Sequence, residues 1–303
     1  MRKVIVTGAT SMIGINLIQK LLSENIKVLA IIRENSKRKS NLPQNSNLEI
    51  IECDLENLAT LELKEKDYDC LYHLAWKATI LEERNDVYKQ TENIKYTLDA
   101  LALAKRSNCK KFIGAGSQAE YGRVNDIIKP DTKTNPESGY GISKLCAGQM
   151  SRLLANELGI EHVWTRIFSV YGPYDSDNTM IMKSIRELSL GTSPQYTLGE
   201  QYCDYLYIED AIEALYLLGD KGKNNKIYCI GSGKTKKIRE YIEILKDKID
   251  SSVKLDIGAI PYRENQIMEL CADISDLTQD TGFYPKISFE EGIVKTIEWY
   301  QKQ

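Results

Sequence analysis

Short apolar runs alternate with amphipathic segments from the first residues onward, the pattern of βα units feeding a parallel sheet. Val4-Ile5-Val6 predicts a first strand and Val28 to Ile32 a second. Leu48 to Glu52, Cys70 to Leu74, Lys111 to Ala115, Val163 to Phe168 and Ile227 to Ile230 predict the strands that follow. Ile13, Leu17 and Leu21 fall four apart, on one face of a helix over Ile13 to Glu24. Further helices are expected at about Ile94 to Ala104, Gly141 to Asn156 and Glu209 to Leu218. After Gly172-Pro173 the alternation gives way to polar, Tyr-containing segments broken by Pro173, Pro194, Pro261 and Pro285, which predicts a smaller lid. Tyr205 to Gly231 looks like a return to the main sheet, so the main unit is expected over 1–172 and 205–231 and the lid over 173–204 and 232–303. Ser288-Phe289-Glu290-Glu291 fits a capping box opening a last helix with Ile293, Ile297 and Tyr300 on one side.

Composition sharpens this picture mainly by exclusion. The 303 residues are 42% hydrophobic, enough for a sizeable core, and a net charge of −3 lacks the basic excess of a phosphate-backbone binder, so nucleic acid is not expected as a partner. Seven cysteines, at 53, 70, 109, 146, 203, 229 and 271, include no C-x-x-C and are accompanied by only two histidines. Neither a disulfide framework nor a metal site is expected; buried reduced thiols in a cytoplasmic protein are. The chain runs from Met1 straight into the first strand without a signal core, and no stretch approaches the roughly 20 apolar residues of a membrane span, so no membrane association is expected.

Candidate chemistry begins at Thr7-Gly8-Ala9-Thr10-Ser11-Met12-Ile13-Gly14, between the first strand and the first helix. There a tight turn and a helix N-terminus suit a pyrophosphate, which makes Gly8, Thr10, Ser11, Met12, Ile13 and Gly14 candidate dinucleotide contacts. Ser11 stands where such a fingerprint usually has glycine: its hydroxyl suits a phosphate while its Cβ limits backbone approach. An ordinary βα turn has the same look. At the end of the second strand, Arg33 stands where an NAD site offers an acid, and a guanidinium suits a 2′-phosphate, which favours NADP(H) over NAD(H). A solvated basic turn, with Glu34 adjacent and Lys37 and Arg38 following, is the alternative. Tyr140 and Lys144 share a helix face at i, i+4, and an ammonium beside a tyrosine favours the phenolate. Ser117, at the end of the fifth strand, is placed to hydrogen-bond the substrate oxygen that Tyr140 would protonate. Tyr-x-x-x-Lys alone is common as a surface pair; the three residues together are less so.

In this order the motifs resemble the extended, nucleotide-sugar-modifying short-chain dehydrogenases/reductases over nearly the whole chain. The resemblance implies a Rossmann-type doubly wound parallel sheet with a smaller, discontinuous C-terminal substrate-binding lid. It assigns Asp54 and Leu55 to the adenine, Leu74, Ala75 and Trp76 of the His73-to-Trp76 segment to the cofactor's underside, and Asn93 to a mid-helix position near the cofactor. Ser117, Tyr140 and Lys144 match the catalytic positions, and Arg166 to Pro173 matches the strand leading into the lid. Lys77, Thr79, Gln118, Ser169 and Arg263 are implied on the substrate side.

Departures from the family pattern narrow the reaction. Gln118-Ala119 replaces the Asp-Glu pair of the sugar-nucleotide 4,6-dehydratases, and without carboxylates to move protons at C5 and C6 a dehydratase is disfavoured. Ser169 replaces an asparagine and Cys203 an arginine, which puts one diphosphate contact in doubt and leaves Arg263 as the clamp, unless it is a surface loop arginine. Gly258 to Met268 with Ala272-Asp273 is similar to 4-keto sugar nucleotide reductases such as the CDP-abequose and CDP-paratose synthases and the dTDP-fucose-forming reductases. The expected activity is NADPH-dependent reduction of the C4 ketone of an NDP-4-keto-6-deoxyhexose. The rivals are an NAD-dependent NDP-hexose 4-epimerase and a non-catalytic NADP-sensing protein. The resemblance further implies a homodimer packed through the helices predicted at 94–104 and 141–156.

Overall fold

A computed structural model describes residues 1–303, apart from the side chain of Leu81. Its centre is a seven-stranded parallel sheet in the order β11-β6-β5-β4-β1-β2-β3. The strands are β1 (Lys3–Thr7), β2 (Lys27–Ile32), β3 (Leu48–Glu52), β4 (Cys70–His73), β5 (Lys111–Ser117), β6 (Glu161–Ile167) and β11 (Lys226–Ile230). Helices cover both faces, which is why the inner strands are apolar almost throughout. The pleat divides their side chains: Val4 and Val6 enter the core shared with α1 (Met12–Ser23) and α5 (Ile208–Lys221), whereas Ile5 joins Leu101 of α2 (Val87–Arg106) and Ala155 of α3 (Gly139–Leu158). Thr7 pairs with Ile31 on one side and His73 on the other, so the strand order reverses beside β1 and leaves a crevice at the carboxyl ends.

The expected strands are all present, with differences that have local causes. The apolar run at 163–168 is divided: β6 stays in the main sheet as far as Ile167, and β7 (Ser169–Tyr171) leaves it to pair in parallel with β10 (Tyr205–Tyr207). Accordingly β11, rather than the whole of 205–231, is the part that extends the main sheet, beside β6. The helix expected from Ile94 begins seven residues earlier because Asp86 caps it, its carboxylate accepting from the Lys89 N–H at 3.2 Å. Its first turn is not amphipathic toward the core, since Val87 and Tyr88 are exposed. Three helices were not expected: α4 (Met180–Ser189), α6 (Ile238–Ile249) and the short α7 (Ser275–Thr281). The signal for α4 was legible in Thr179, which caps it, and in Ile181, Ile185 and Leu188, which it buries. The last helix, α8 (Phe289–Tyr300), opens on the expected Ser288–Glu291 capping box.

Beyond Gly172 small ladders replace the sheet: β12 (Lys236–Lys237) beside β9 (Tyr202–Cys203) and β14 (Glu269–Leu270), and β13 (Asp256–Ile257) beside β8 (Gln195–Tyr196). Fully buried Asp204 gathers this region, accepting from the Ser232 N–H (2.6 Å), the Gly233 N–H (3.0 Å) and the Ala272 N–H (3.1 Å). Cys53, Cys70, Cys109, Cys203 and Cys229 are buried free thiols and Cys146 and Cys271 partly exposed ones. No helix among the described residues is long and apolar enough to cross a membrane.

Candidate active site

The crevice beside β1 opens into a cavity of about 490 Å³ running from Arg33 and Asp54 past Gly8 and Ser11 to Trp76 and Thr79. Its floor requires glycine at two positions. Gly8 has φ +68°, and a Cβ there would stand 2.6 Å from the Ala75 nitrogen; one on Gly14 would stand 2.3 Å from the Gly8 carbonyl oxygen. Ser11 caps α1, its Oγ accepting from the Gly14 N–H at 3.0 Å, so the side chain that departs from the glycine pattern orders the turn and keeps its own proton to donate. Met12 and Ile13 open the helix, where first-turn N–H groups lack intrahelical acceptors. Backbone cradle, helix N-terminus and cavity fit a dinucleotide.

At the adenosine end, Arg33 is exposed on the cavity rim, and Asp54 accepts from the Glu34 N–H at 3.3 Å. Leu55, Leu74 and Ala75 line the same wall. Sequence reasoning missed buried Ser36, whose hydroxyl donates to Thr10 Oγ1 at 3.2 Å and thereby joins the β2 loop to the glycine turn. Arg38 lines the cavity and donates to the Tyr174 carbonyl.

Behind this cavity the loop after β4 is held by α2. Asn93 is buried and its amide is taken up by backbone: it accepts from the Lys77 N–H (2.8 Å) and donates to the Lys77 carbonyl (3.1 Å), so it shapes the loop after β4 from behind rather than meeting the cofactor. Lys77 lines the cavity, and its ammonium lies 3.3 Å from the Tyr96 hydroxyl and 3.7 Å from Glu56. Trp76 is pinned by its indole N–H donating to Gln90 at 2.9 Å.

Trp76 joins this cavity to the reactive cluster. Its ring meets Tyr140 edge-on at 6.0 Å and carries the Lys144 ammonium 3.7 Å from its centroid. Ser138 caps α3 through the Gly141 N–H (3.1 Å), which sets Tyr140 and Lys144 on the turn facing β5. Lys144 is buried and donates to the Ala115 carbonyl at 2.5 Å; burial pulls its pKa down to about 7, with Glu120 opposing and Arg84 adding to the fall. Burial pushes the Tyr140 phenol above its ordinary value, while the Arg84 guanidinium and the Ser117 hydroxyl favour the phenolate. The structure thus brings Ser117, Tyr140 and Lys144 together. His73, bonded to Thr7 Oγ1 at 2.8 Å, is held neutral, its pKa pulled down to about 3 by burial.

Beneath Ser117 lies a fully buried carboxylate that sequence reasoning did not single out. Glu120 accepts from the Ser117 N–H (2.9 Å), the Trp164 indole N–H (3.0 Å) and Arg166 Nε (2.7 Å). Gly116 makes room for it: a Cβ there would lie 2.4 Å from Glu120 Oε1. Gln118 Oε1 is buried without a hydrogen-bond donor. Two of the departures from the family pattern touch each other, Cys203 Sγ lying 3.5 Å from Ser169 Oγ. Arg263 is exposed on the 258–268 loop, which is tied down by the Glu200 N–H donating to Tyr262 Oη at 2.9 Å, and the structure does not gather it with the Tyr140 cluster. Thr79 contributes its carbonyl, which accepts from Arg84 Nε at 3.1 Å.

Comparison with known proteins agrees with this geometry. Residues 4–231 match the model of the NAD dependent epimerase/dehydratase family. The chain is 25% identical to CDP-abequose synthase of Salmonella muenchen, the alignment covering 98% of this chain and 97% of that protein. It is 27% identical to a putative UDP-glucose 4-epimerase of Methanocaldococcus jannaschii, covering 98% and 97%. Among solved structures, UDP-N-acetylglucosamine 4-epimerase from Methanobrevibacter ruminantium in complex with UDP-N-acetylmuramic acid superposes with a TM-score of 0.90 at 28% identity, over 100% of this chain and 99% of that one. With the glycine turn, the reversed strand order and the Ser117, Tyr140 and Lys144 cluster already in hand, the match places this protein in the NAD dependent epimerase/dehydratase family, among the extended short-chain dehydrogenases/reductases of nucleotide sugars.

Proposed function

We propose that the protein is an NADPH-dependent reductase of the C4 ketone of an NDP-4-keto-6-deoxyhexose. The observation that carries this reading is Arg33, exposed on the rim of the cofactor cavity where an NAD site offers an acid. When bound, the nicotinamide supplies hydride. Gly8, Thr10, Ser11, Met12, Ile13 and Gly14 would hold its diphosphate, Asp54 and Leu55 the adenosine, Leu74, Ala75 and Trp76 the underside, and Lys144 the nicotinamide ribose. Tyr140 protonates the developing C4 alkoxide, and Ser117 orients the carbonyl by donating to the same oxygen. Gln118 Oε1, a buried acceptor without a donor, suits a sugar hydroxyl, and Ser169 is assigned to the substrate side with it. Segments 173–204 and 232–303 act as the nucleotide-sugar lid, with Arg263 brought to the diphosphate on closure.

The test is NADPH and NADH consumption with dTDP- and CDP-4-keto-6-deoxyglucose; NADPH loss with one of them is the expected result. A second reading, 4-epimerisation with retained NAD, is favoured by the full-length likeness to a UDP-N-acetylglucosamine 4-epimerase. Silence with both ketones, together with NAD released on denaturing the purified protein, would replace the first reading by the second. Arg33→Ala is expected to raise KM for NADPH about 10- to 100-fold, the loss of a charge-assisted contact, and to leave KM for NADH unchanged. An unmoved KM for NADPH removes the cofactor assignment.

We also propose a homodimer through α2 and α3. Ile142, Met150 and Leu153 are exposed at i, i+8 and i+11 on α3, an apolar stripe continued by Val87 and Tyr88 at the start of α2. Leu153→Glu is expected to give a monomer in sedimentation velocity where the natural chain is a dimer; a monomeric natural chain refutes the interface. Free thiols throughout suit a reducing compartment, and we assign the enzyme to the cytoplasm.

A further inference from the structure

We infer that Arg84 is a second positioning cation for Tyr140, acting with Lys144 to favour the phenolate during proton transfer. The loop after β4 is fastened to the start of α3 by two bonds, from the Tyr140 N–H to the Arg84 carbonyl (2.8 Å) and from the Gly139 N–H to Asn85 Oδ1 (3.0 Å). With Arg84 Nε donating to the Thr79 carbonyl at 3.1 Å, the guanidinium carbon is held 4.7 Å from the centroid of the Tyr140 ring. A cation over an aromatic face is attracted to the ring, and more strongly to the ring of a phenolate.

The Lys144 ammonium is 5.7 Å from the same ring, lies against Trp76 and is already bonded to the Ala115 carbonyl. The carboxylates flanking Arg84 are engaged elsewhere: Glu83 pairs with Lys89 at 2.6 Å, and Asp86 caps α2 and lies 3.7 Å from the same lysine. Among the described residues no ion pair neutralises Arg84. Tyr140 is faced by Arg84 and Trp76 from this loop, Ser117 from β5, Glu120 from the turn after it and Lys144 from α3. Glu120 and burial oppose the phenolate, and Arg84 leads the groups that favour it.

The inference rests on Tyr140 as the proton-transfer group, so its test has one arm that needs no turnover. Ultraviolet difference titration of the natural chain against Tyr140→Phe, with saturating oxidised cofactor, isolates this phenol from the other tyrosines; the same pair is measured in the Arg84→Met background. The Tyr140 phenolate is expected to appear about one pH unit higher in Arg84→Met, a tenfold loss of phenolate at a pH below both midpoints. In turnover, the limb of the kcat profile that Tyr140 controls moves up by the same amount, whether the residue gives or takes the proton. Arg84→Lys retains most of the effect. Should Arg84→Met not fold, Arg84→Gln, which keeps a donor for the Thr79 carbonyl, carries the same titration. An unmoved titration, or a kcat lowered equally at every pH, overturns the inference and leaves Arg84 a loop anchor. Absence of ketone reduction by the natural chain would sink the proposed function alone, because the titration still decides Arg84.

Discussion

Tyr140→Phe is expected to lower kcat for ketone reduction by about 10²- to 10⁴-fold, the range that removing a positioned general acid produces. The substitution deletes one oxygen and keeps the ring that packs edge-on against Trp76 and under the Arg84 guanidinium. The backbone bond from residue 140 to the Arg84 carbonyl is also independent of the side chain. Cofactor affinity should therefore be unchanged, and thermal stability unchanged or slightly raised, because a buried hydroxyl whose ionisation the site resists is gone. Following reduced-cofactor absorbance with saturating substrate checks the first point and titrating cofactor fluorescence the second. A variant that keeps a third or more of its turnover would show that the proton comes from another donor and take the general-acid role from Tyr140.

The second large effect concerns stability. Glu120→Leu leaves the Arg166 guanidinium buried without its 2.7 Å partner and removes the acceptor of the Trp164 indole N–H. Breaking a buried pair from one side costs about 3–5 kcal/mol, which in a chain of this length corresponds to roughly 5–10 °C in Tm. Exchanging both partners, as in Glu120→Leu with Arg166→Met, should recover much of that loss, since no uncompensated charge remains. The double variant should nonetheless turn over slowly, because the Ser117 N–H has lost the carboxylate that orients the residue. Calorimetric scans of the three proteins decide the matter; a single variant as stable as the natural chain would mean that water enters and solvates Arg166.

These two residues show how unevenly the site could be read beforehand. Tyr140 and Lys144 were legible because a helix converts a spacing of four into a shared face, and Ser117 because the end of a parallel strand points into the crevice. Ser11 was legible as an exception, and its cap on Gly14 explains why the exception is tolerated. Glu120 and Arg166 were not legible as a pair: 46 residues separate them, and one lies on a short turn while the other lies on the neighbouring strand. Arg84, flanked by Glu82, Glu83 and Asp86, reads as part of a solvated charge run. Asn93 was placed near the cofactor by resemblance, whereas its own hydrogen bonds commit it to the loop after β4.

The parallel sheet was implicit in the residue pattern, because strands buried on both faces must be apolar throughout and helices that cover them must be apolar on one side. So were the glycine turn and the Tyr140-Lys144 face, since both follow from backbone geometry within a few residues. Tertiary structure alone decided where β7 leaves the sheet, which charges meet below Ser117, and which cation lies over Tyr140. Those outcomes depend on contacts between segments far apart in the chain, and their energies come from burial and charge in a shared low-dielectric interior that no local window of sequence contains.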